Sequence, residues 1–490
     1  MAFQSVSFFA LFFATLCAFY LVPPRYKNGA ILCASVVFYA ATGFGYLLLL
    51  FVAILLSYSA ARLLATAKTD SRRKAILTAA LVLFLGNLCF FKYYDAFGKT
   101  LMQICKGAGL PVLLPDTGLL APLGISFYTF TVLAYLIDIY RGKQAAETNF
   151  IRYAAFISFF PLVASGPIER GRNLLPQLAG PRPFVYETFC KGASRMLWGF
   201  FKKFVVANTI AGMVDVVFVD VTAYSGPYLL LAALLYSYQL YCDFSGYSDI
   251  AIGAAQMLCM DVMENFTRPF AARSFNDLWR RWHISLTSWF REYLYFPLGG
   301  SRKGDFRTYL NILIIFLVSG IWHGTGLTFA IWGLLNGLYM AIGRASAAPR
   351  AKLASKNPLY RNKAVRAVLQ ITTVYLLFTS CIVFFRAENM ADALSVYAHL
   401  FTGWTTLLQP SSVIATLKTM GIGRVTGLLL LVSIGFTEVL EWRAACAKQK
   451  TGEYLRAQKP AVRMTLYYAM LLLLALFGVL GKSSFIYFQF

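Results

Sequence analysis

Histidine is scarce: the chain has three, His283, His323 and His399. No two of them stand at H-x-x-H or H-E-x-x-H spacing, and no D-x-D pair occurs. The common zinc ligand sets and the carboxylate pair of a metal-dependent glycosyltransferase are thus missing, and no metal is expected. The nine cysteines are odd in number, lie mostly in apolar runs and include no C-x-x-C, which argues against a disulfide framework. There is no Walker loop and no G-x-S-x-G elbow, so neither a P-loop NTPase nor an α/β-hydrolase is indicated. Acidic residues are few as well, 21 against 45 Lys and Arg, for a net charge of +24. That balance raises the question of nucleic acid. The basic residues are instead spread over short segments between apolar runs, as positive-inside orientation requires, and nucleic acid is not an expected partner. No internal repeat of 20–50 residues is evident.

What the chain has in quantity is apolar sequence: 59% hydrophobic residues, only 13% charged, and several uncharged runs of bilayer length. This predicts an all-α, polytopic membrane protein of roughly eleven membrane helices plus re-entrant and interfacial helices. Residues 1–490 are expected to form one membrane-embedded domain. The first run, Phe3 to Val22, lacks a basic n-region and an A-x-A site, so it reads as a retained span with its N-terminus outside. The run from Gly29 to Ser59 breaks at Thr42-Gly43-Phe44-Gly45. Ala75 to Tyr94 is read as an outward span, Asp95 to Gly118 as an external loop, and Leu119 to Tyr140 as the return. Ile151 to Ala164 is too short to cross and suits a re-entrant or interfacial piece. Between Phe189 and Phe218, Lys191, Arg195, Lys202 and Lys203 are expected to snorkel at the cytoplasmic interface. Pro227 to Tyr241 reads as a short span leading into Cys242-Asp243-Phe244-Ser245-Gly246-Tyr247-Ser248-Asp249. Ala367 to Phe385, Val425 to Leu440 and Met464 to Leu480 read as further spans. A basic cytoplasmic loop, Arg443 to Arg463, lies before the last of them, and an aromatic external tail, Phe485 to Phe490, follows it.

The stretch between Arg307 and Arg344 contains no Asp, Glu, Lys or Arg. It is about twice the length of one bilayer crossing of roughly 20 helical residues. Gly324 and Gly326 supply a break in its middle, which makes it a hairpin entered from the basic, cytoplasmic side on both flanks. His323 stands at that break. An ionisable side chain at membrane depth marks a candidate functional site; the plain alternative is a structural histidine bonded to a backbone carbonyl.

Ala272 to Leu298 reads as one amphipathic helix. Ser274 followed by Asp277 is a capping signal, and Trp279, Trp282, Leu286, Trp289 and Tyr293 share one stripe at helical spacing. Asp277, Arg280 and Arg281 lie towards the other face, with Asp277 and Arg281 spaced to pair at i,i+4. Such a helix suits the headgroup level, either as an anchor or as a basic rim for an anionic cytoplasmic ligand. His283 lies beside the stripe. His399 has no notable neighbours.

A lone embedded histidine and a basic surface facing the cytoplasm fit one chemistry. Burial disfavours the imidazolium, leaving a neutral ring that can take a proton from an attacking hydroxyl. An activated acyl group on a polyanionic carrier such as coenzyme A would suit an arginine rim, with Arg280 and Arg281 as candidate contacts.

Several stretches together resemble the membrane-bound O-acyltransferase family. They are Gly166-Pro167-Ile168-Glu169-Arg170, Tyr241 to Gly253, Asn265-Phe266 with Arg268-Pro269-Phe270, and Trp279 to Leu286. The set continues with Ser288 to Gly300, Trp322-His323-Gly324, Phe384-Phe385-Arg386-Ala387 and the Phe485–Phe490 tail. Within that family the pattern is nearest to the bacterial branch that O-acetylates alginate, other exopolysaccharides and peptidoglycan. The resemblance implies tilted helices around a thinned core, with residues 265–344 as the catalytic region. His323 would be the principal catalytic histidine and His283 the second, more cytoplasmic one. It further implies acetyl-CoA as donor, an exported polysaccharide as acceptor, a periplasmic or extracellular SGNH-type partner, and residence in a bacterial inner membrane. Related D-alanyl transfer to teichoic acid from a carrier protein is the alternative. A transporter of polymer precursors is a third possibility, disfavoured because no substrate-binding charge is evident at depth.

Overall fold

The computed structural model describes residues 3, 5–110, 114–356, 360, 362–479 and 486. Among them there are helices, turns and loops but no strand, and the protein is a polytopic helical membrane protein. Among the described residues six helices are long and apolar enough to cross a bilayer: Phe44–Thr66, Asp70–Gly107, Gly304–His323, Lys363–Arg386, Arg424–Cys446 and Pro460–Phe477. Val6–Leu21 and Ile125–Tyr140 are shorter apolar helices. Side chains that compete for backbone groups mark several starts: Ser5, Thr69, Asn149, Asn362 and Asn389 each accept a backbone N–H of the first turn.

The chain divides into two compact units, residues 1–193 with 251–263, and residues 194–250 with 264–490. In the first, Phe8, Phe12 and Phe38 gather on Phe160, with ring centroids 6.5, 6.4 and 5.9 Å away. Phe160 opens the second of two short helices, Phe150–Ile157 and Phe160–Val163, so the stretch expected to re-enter is a bent, buried pair. The Asp70–Gly107 helix runs well beyond Tyr94 into the segment expected to be a loop. Sequence Asp95 to Gly107 contains neither proline nor a helix-ending signal strong enough to stop it.

The second unit carries the candidate site. Gly226–Met257 is a single helix rather than a short span followed by a loop. The Cys242–Asp249 motif is therefore helical, and Asp243 is buried within it. Gly199 and Gly246 let the Tyr186–Phe200 helix lie close to it: a Cβ on Gly199 would stand 2.6 Å from the Gly246 carbonyl oxygen. Beyond Phe200 the chain widens into a π-helical turn, Phe201–Ala207, which carries Lys202 and Lys203. Both lysines are buried, against the expectation that they snorkel. Lys202 reaches Asp249 at 2.7 Å and Ser245 at 2.9 Å, and Lys203 pairs with Asp243. Arg195 is buried too, bonded to Asp249 at 2.9 Å and to Glu264. Paired in this way, the cations have no need to reach water.

Candidate active site

The uncharged stretch between Arg307 and Arg344 forms the expected hairpin. Its arms are Gly304–His323 and Leu327–Ala345, and the break falls on Gly324 to Gly326. The arms meet through glycine. A Cβ on Gly320 would lie 2.3 Å from the Phe329 carbonyl oxygen, and one on Gly333 would lie 2.3 Å from that of Phe316. Only residues without a side chain allow helices to approach so closely, the usual device of membrane helix pairs.

His323 ends the first arm and is buried, at 4% exposure. Its ring sits in an aromatic box: Trp322 at 4.9 Å, Trp332 at 5.0 Å and Phe385 at 5.5 Å between centroids. Trp332 packs on Trp279 at 6.1 Å, which ties the box to the tryptophan stripe. The indole nitrogens of Trp279 and Trp332 and the Asn336 amide oxygen are buried with no hydrogen-bond partner among the described residues. Asn336 donates its amide N–H to the Trp332 carbonyl at 2.7 Å.

The segment expected as one helix from Ala272 to Leu298 is three pieces: Phe275–Arg281, Ile284–Phe290 and a π-helical turn, Arg291–Tyr295. His283 breaks the first two apart. It sits in the left-handed region at φ 43°, ψ 54°, where a side chain other than glycine is uncommon. The stripe residues Trp279, Trp282, Leu286, Trp289 and Tyr293 are all buried, so the stripe is core rather than a membrane-facing anchor. Ser274 caps the first piece by accepting the Asp277 N–H at 3.1 Å, and Arg281 pairs with Asp277 at 2.8 Å, both as the spacing predicts. Arg280 is exposed and Arg281 partly so.

His283 is buried, packed edge-to-face on Phe244 at 4.7 Å and facing Trp322 at 6.4 Å. Trp322 therefore touches both histidines, and the structure brings His283 and His323 to one aromatic partner. His283 Nδ1 lies 3.0 Å from Asn265 Oδ1. Burial pushes its imidazole down to about 3. His399 lies elsewhere, with Nδ1 2.9 Å from the Ser395 carbonyl of its own helix.

Of the acids that hold Arg195, Lys202 and Lys203, Asp243 and Asp249 stand out in sequence as following a span, with helix capping or pairing to a loop arginine as their plain reading, and Asp249 does pair with Arg195. Glu264, Glu441 and the Asn265 contacts carry no such signal. Glu441, 5% exposed, accepts from the Tyr241 hydroxyl at 2.7 Å and lies 3.7 Å from Lys202. In the first unit, Glu169 of the Gly-Pro-Ile-Glu-Arg stretch is also buried, accepting the backbone N–H of Arg170 and of Met263, each at 2.7 Å. That is a loop-fastening role. Among the described residues no group of three His, Cys, Asp or Glu side chains is placed to hold a metal ion.

Comparison with known proteins bears on the same residues. Residues 142–387 match the profile of MBOAT, the membrane-bound O-acyltransferase family. The chain is 38% identical over 408 residues to the probable alginate O-acetylase AlgI of Pseudomonas aeruginosa, an overlap of 82% of this chain and 75% of that protein. It is 33% identical over 403 residues to the peptidoglycan O-acetyltransferase of Helicobacter pylori, covering 77% and 74%. The teichoic acid D-alanyltransferase of Bacillus subtilis is 29% identical over 235 residues, 46% of this chain and 60% of that protein.

Proposed function

The chain belongs to the membrane-bound O-acyltransferase family and is an O-acyltransferase, and from that premise we propose that it moves an acetyl group from acetyl-CoA towards an exported polysaccharide, with His323 as general base. The observation that carries this reading is a buried histidine at the break of a glycine-packed hairpin, ringed by Trp322, Trp332 and Phe385. A neutral imidazole there takes the proton of an attacking hydroxyl. The hydroxyl oxygen bonds to the thioester carbonyl carbon, the carbon–sulfur bond breaks, and the proton passes from His323 to the departing thiolate. His283 is the second site histidine. Residues 265–344 form the catalytic region of a single membrane-embedded domain. Arg280 and Arg281 are the candidate contacts for the donor's phosphates. The acceptor is alginate-like, another exopolysaccharide or peptidoglycan. The acetyl group reaches it through a periplasmic or extracellular SGNH-type partner, from an enzyme in the bacterial inner membrane with both termini outside.

His323→Ala in cells lacking the native copy should reduce polymer O-acetylation to background while the protein remains in the membrane. Full acetylation at equal protein level overturns the base assignment. Arg280→Ala and Arg281→Ala should raise the KM for acetyl-CoA several-fold with little change in kcat; an unchanged KM removes them from the donor site. The donor itself is tested by offering purified protein labelled acetyl-CoA and, separately, a carrier-bound D-alanyl thioester. Transfer from acetyl-CoA is expected. Transfer from the carrier alone would favour D-alanylation, a reading that rests on a relative sharing a smaller part of the chain.

A further inference from the structure

Asn265 is fully buried in the loop between Gly226–Met257 and Phe275–Arg281, and its backbone carbonyl and both side-chain polar atoms are bonded. Its backbone carbonyl accepts the Ile284 N–H at 2.9 Å, which fastens the chain one residue past His283. Its side-chain Oδ1 receives the Ser285 hydroxyl at 2.9 Å and the Ser285 backbone N–H at 3.4 Å. Its Nδ2 donates to Ser248 Oγ at 3.1 Å. A backbone N–H can only donate, so the amide atom facing Ser285 is the oxygen. The same oxygen lies 3.0 Å from His283 Nδ1, and an oxygen that is only an acceptor requires a proton on that nitrogen. The proton of neutral His283 is therefore on Nδ1 and the ring lone pair on Nε2.

We propose that Asn265 is a positioning residue for His283: its side-chain carbonyl holds the Nδ1 proton, fixing the ring's orientation and tautomer so that Nε2 is the acceptor. The backbone supports this. A non-glycine residue at φ 43° needs local bonds to hold it, and Asn265 supplies them on both sides of the imidazole bond, through Ile284 and Ser285. The inference deepens the functional reading above, because positioning matters to catalysis only if His283 takes part in it.

Phe244 and Trp322 pack against the imidazole, with His323 beyond Trp322. Phe244, Trp322 and Asn265 carry no charge, so a carboxylate introduced at 265 would place a negative charge directly beside Nδ1.

Three histidines in the chain make the tautomer directly measurable. The full chain, labelled with 15N-imidazole histidine in lipid nanodiscs, gives resonances assignable by single substitution. Wild type should show His283 neutral and protonated on Nδ1 from pH 7.5 down to about pH 5. Asn265→Ala should mix the two tautomers and lower kcat about 10- to 100-fold with KM little changed, the usual cost of removing the partner that orients a functional imidazole. Asn265→Asp should return the Nδ1–H form and part of kcat. It should also let the ring take up a proton at a pH where wild type stays neutral, because a carboxylate beside Nδ1 favours the imidazolium. Should Asn265→Ala fail to reach the membrane, Asn265→Asp carries the test: a ring that stays neutral in that variant over the wild-type pH range means that position 265 does not hold the Nδ1 proton. An Nε2–H tautomer in wild type, or an unmoved tautomer in folded Asn265→Ala, overturns the positioning role. Failure of the wider reading looks different: His283→Ala would be fully active while the wild-type imidazole still showed the Nδ1–H form.

Discussion

At the scale of single residues, burial governs one buried group, whereas nearby charge outweighs it at another. Burial pushes the His283 imidazole from its ordinary 6.5 down to about 3. Burial alone would raise the Glu264 carboxyl, but Arg195 and Lys450 outweigh it and hold that group at about 2. Both groups lie outside the long apolar helices. Each is harder to protonate in the folded protein than in the unfolded chain, so each adds stability at neutral pH that acid removes. The windows differ. The His283 contribution is complete above about pH 6.5 and is lost as pH falls towards 3. That of Glu264 is complete above about pH 4.5 and is lost towards 2. Of these two, only the His283 contribution falls between pH 6 and pH 5, and one proton bound only by the unfolded chain amounts to about 1 kcal/mol there. Thermal melting of the detergent-solubilised protein should show a drop over that range that His283→Gln lacks. Equal drops in both proteins would mean that His283 is not held neutral. His283 was legible in the sequence as a histidine beside a tryptophan stripe. Its tautomer was not, because Asn265 stands 18 residues upstream and bonds through a loop that no periodicity reports.

At the scale of elements, the hairpin was the most legible part of the chain and the tryptophan segment the least. Length without charge, together with Gly324 and Gly326, was enough to place the break beside His323. The segment from Ala272 to Leu298 keeps helical spacing on both sides of His283, so the stripe persists although the helix does not. A left-handed residue rotates the following turn without disturbing which side chains are buried, and spacing alone cannot detect it. Similarly, the Gly226–Met257 helix was cut short in sequence at Tyr241 because Asp243 and Asp249 end the uncharged run. In the fold their charges are matched within the helix packing. The hairpin gives a sharp test of packing. Gly320→Ala and Gly333→Ala each drive a Cβ into backbone at 2.3 Å, and should each cost about 1–3 kcal/mol by overpacking. O-acetylation should fall with them, since His323 follows Gly320 by less than one helical turn. Gly343→Ala, with open space around its Cβ, is the control and should melt as wild type does. A Gly333→Ala variant as stable and active as that control would mean the arms do not need their close approach.

At the scale of the whole molecule, an excess of 24 positive charges coexists with a core that consumes acids in pairs. Asp243, Asp249, Glu264 and Glu441 meet Lys203, Lys202, Arg195 and Lys450 within the second unit, joining the Gly226–Met257 helix to the π-helical turn, to Arg424–Cys446 and to the loop after it. From sequence Arg195, Lys202 and Lys203 looked like interfacial snorkels, because each partner stands tens of residues away. Buried pairs are costly to break and cheap to replace as a pair: removing one partner costs about 3–5 kcal/mol, whereas replacing both by matched neutral groups is often near neutral. The Lys203–Asp243 pair separates these effects, because Asp243 also accepts the Ile486 backbone N–H at 3.0 Å. Lys203→Met alone leaves a buried carboxylate without its cation and should lower yield and melting temperature sharply. Adding Asp243→Asn removes the charge while keeping an acceptor for Ile486, and should recover most of the loss. Lys203→Met with Asp243→Leu should recover less, by about 1 kcal/mol, the contribution of one hydrogen bond. The expected order in a melting series is wild type, then the Met–Asn pair, then the Met–Leu pair, then Lys203→Met. A single Lys203→Met as stable as wild type would show that this lysine reaches water after all, and the snorkelling inferred from composition would stand.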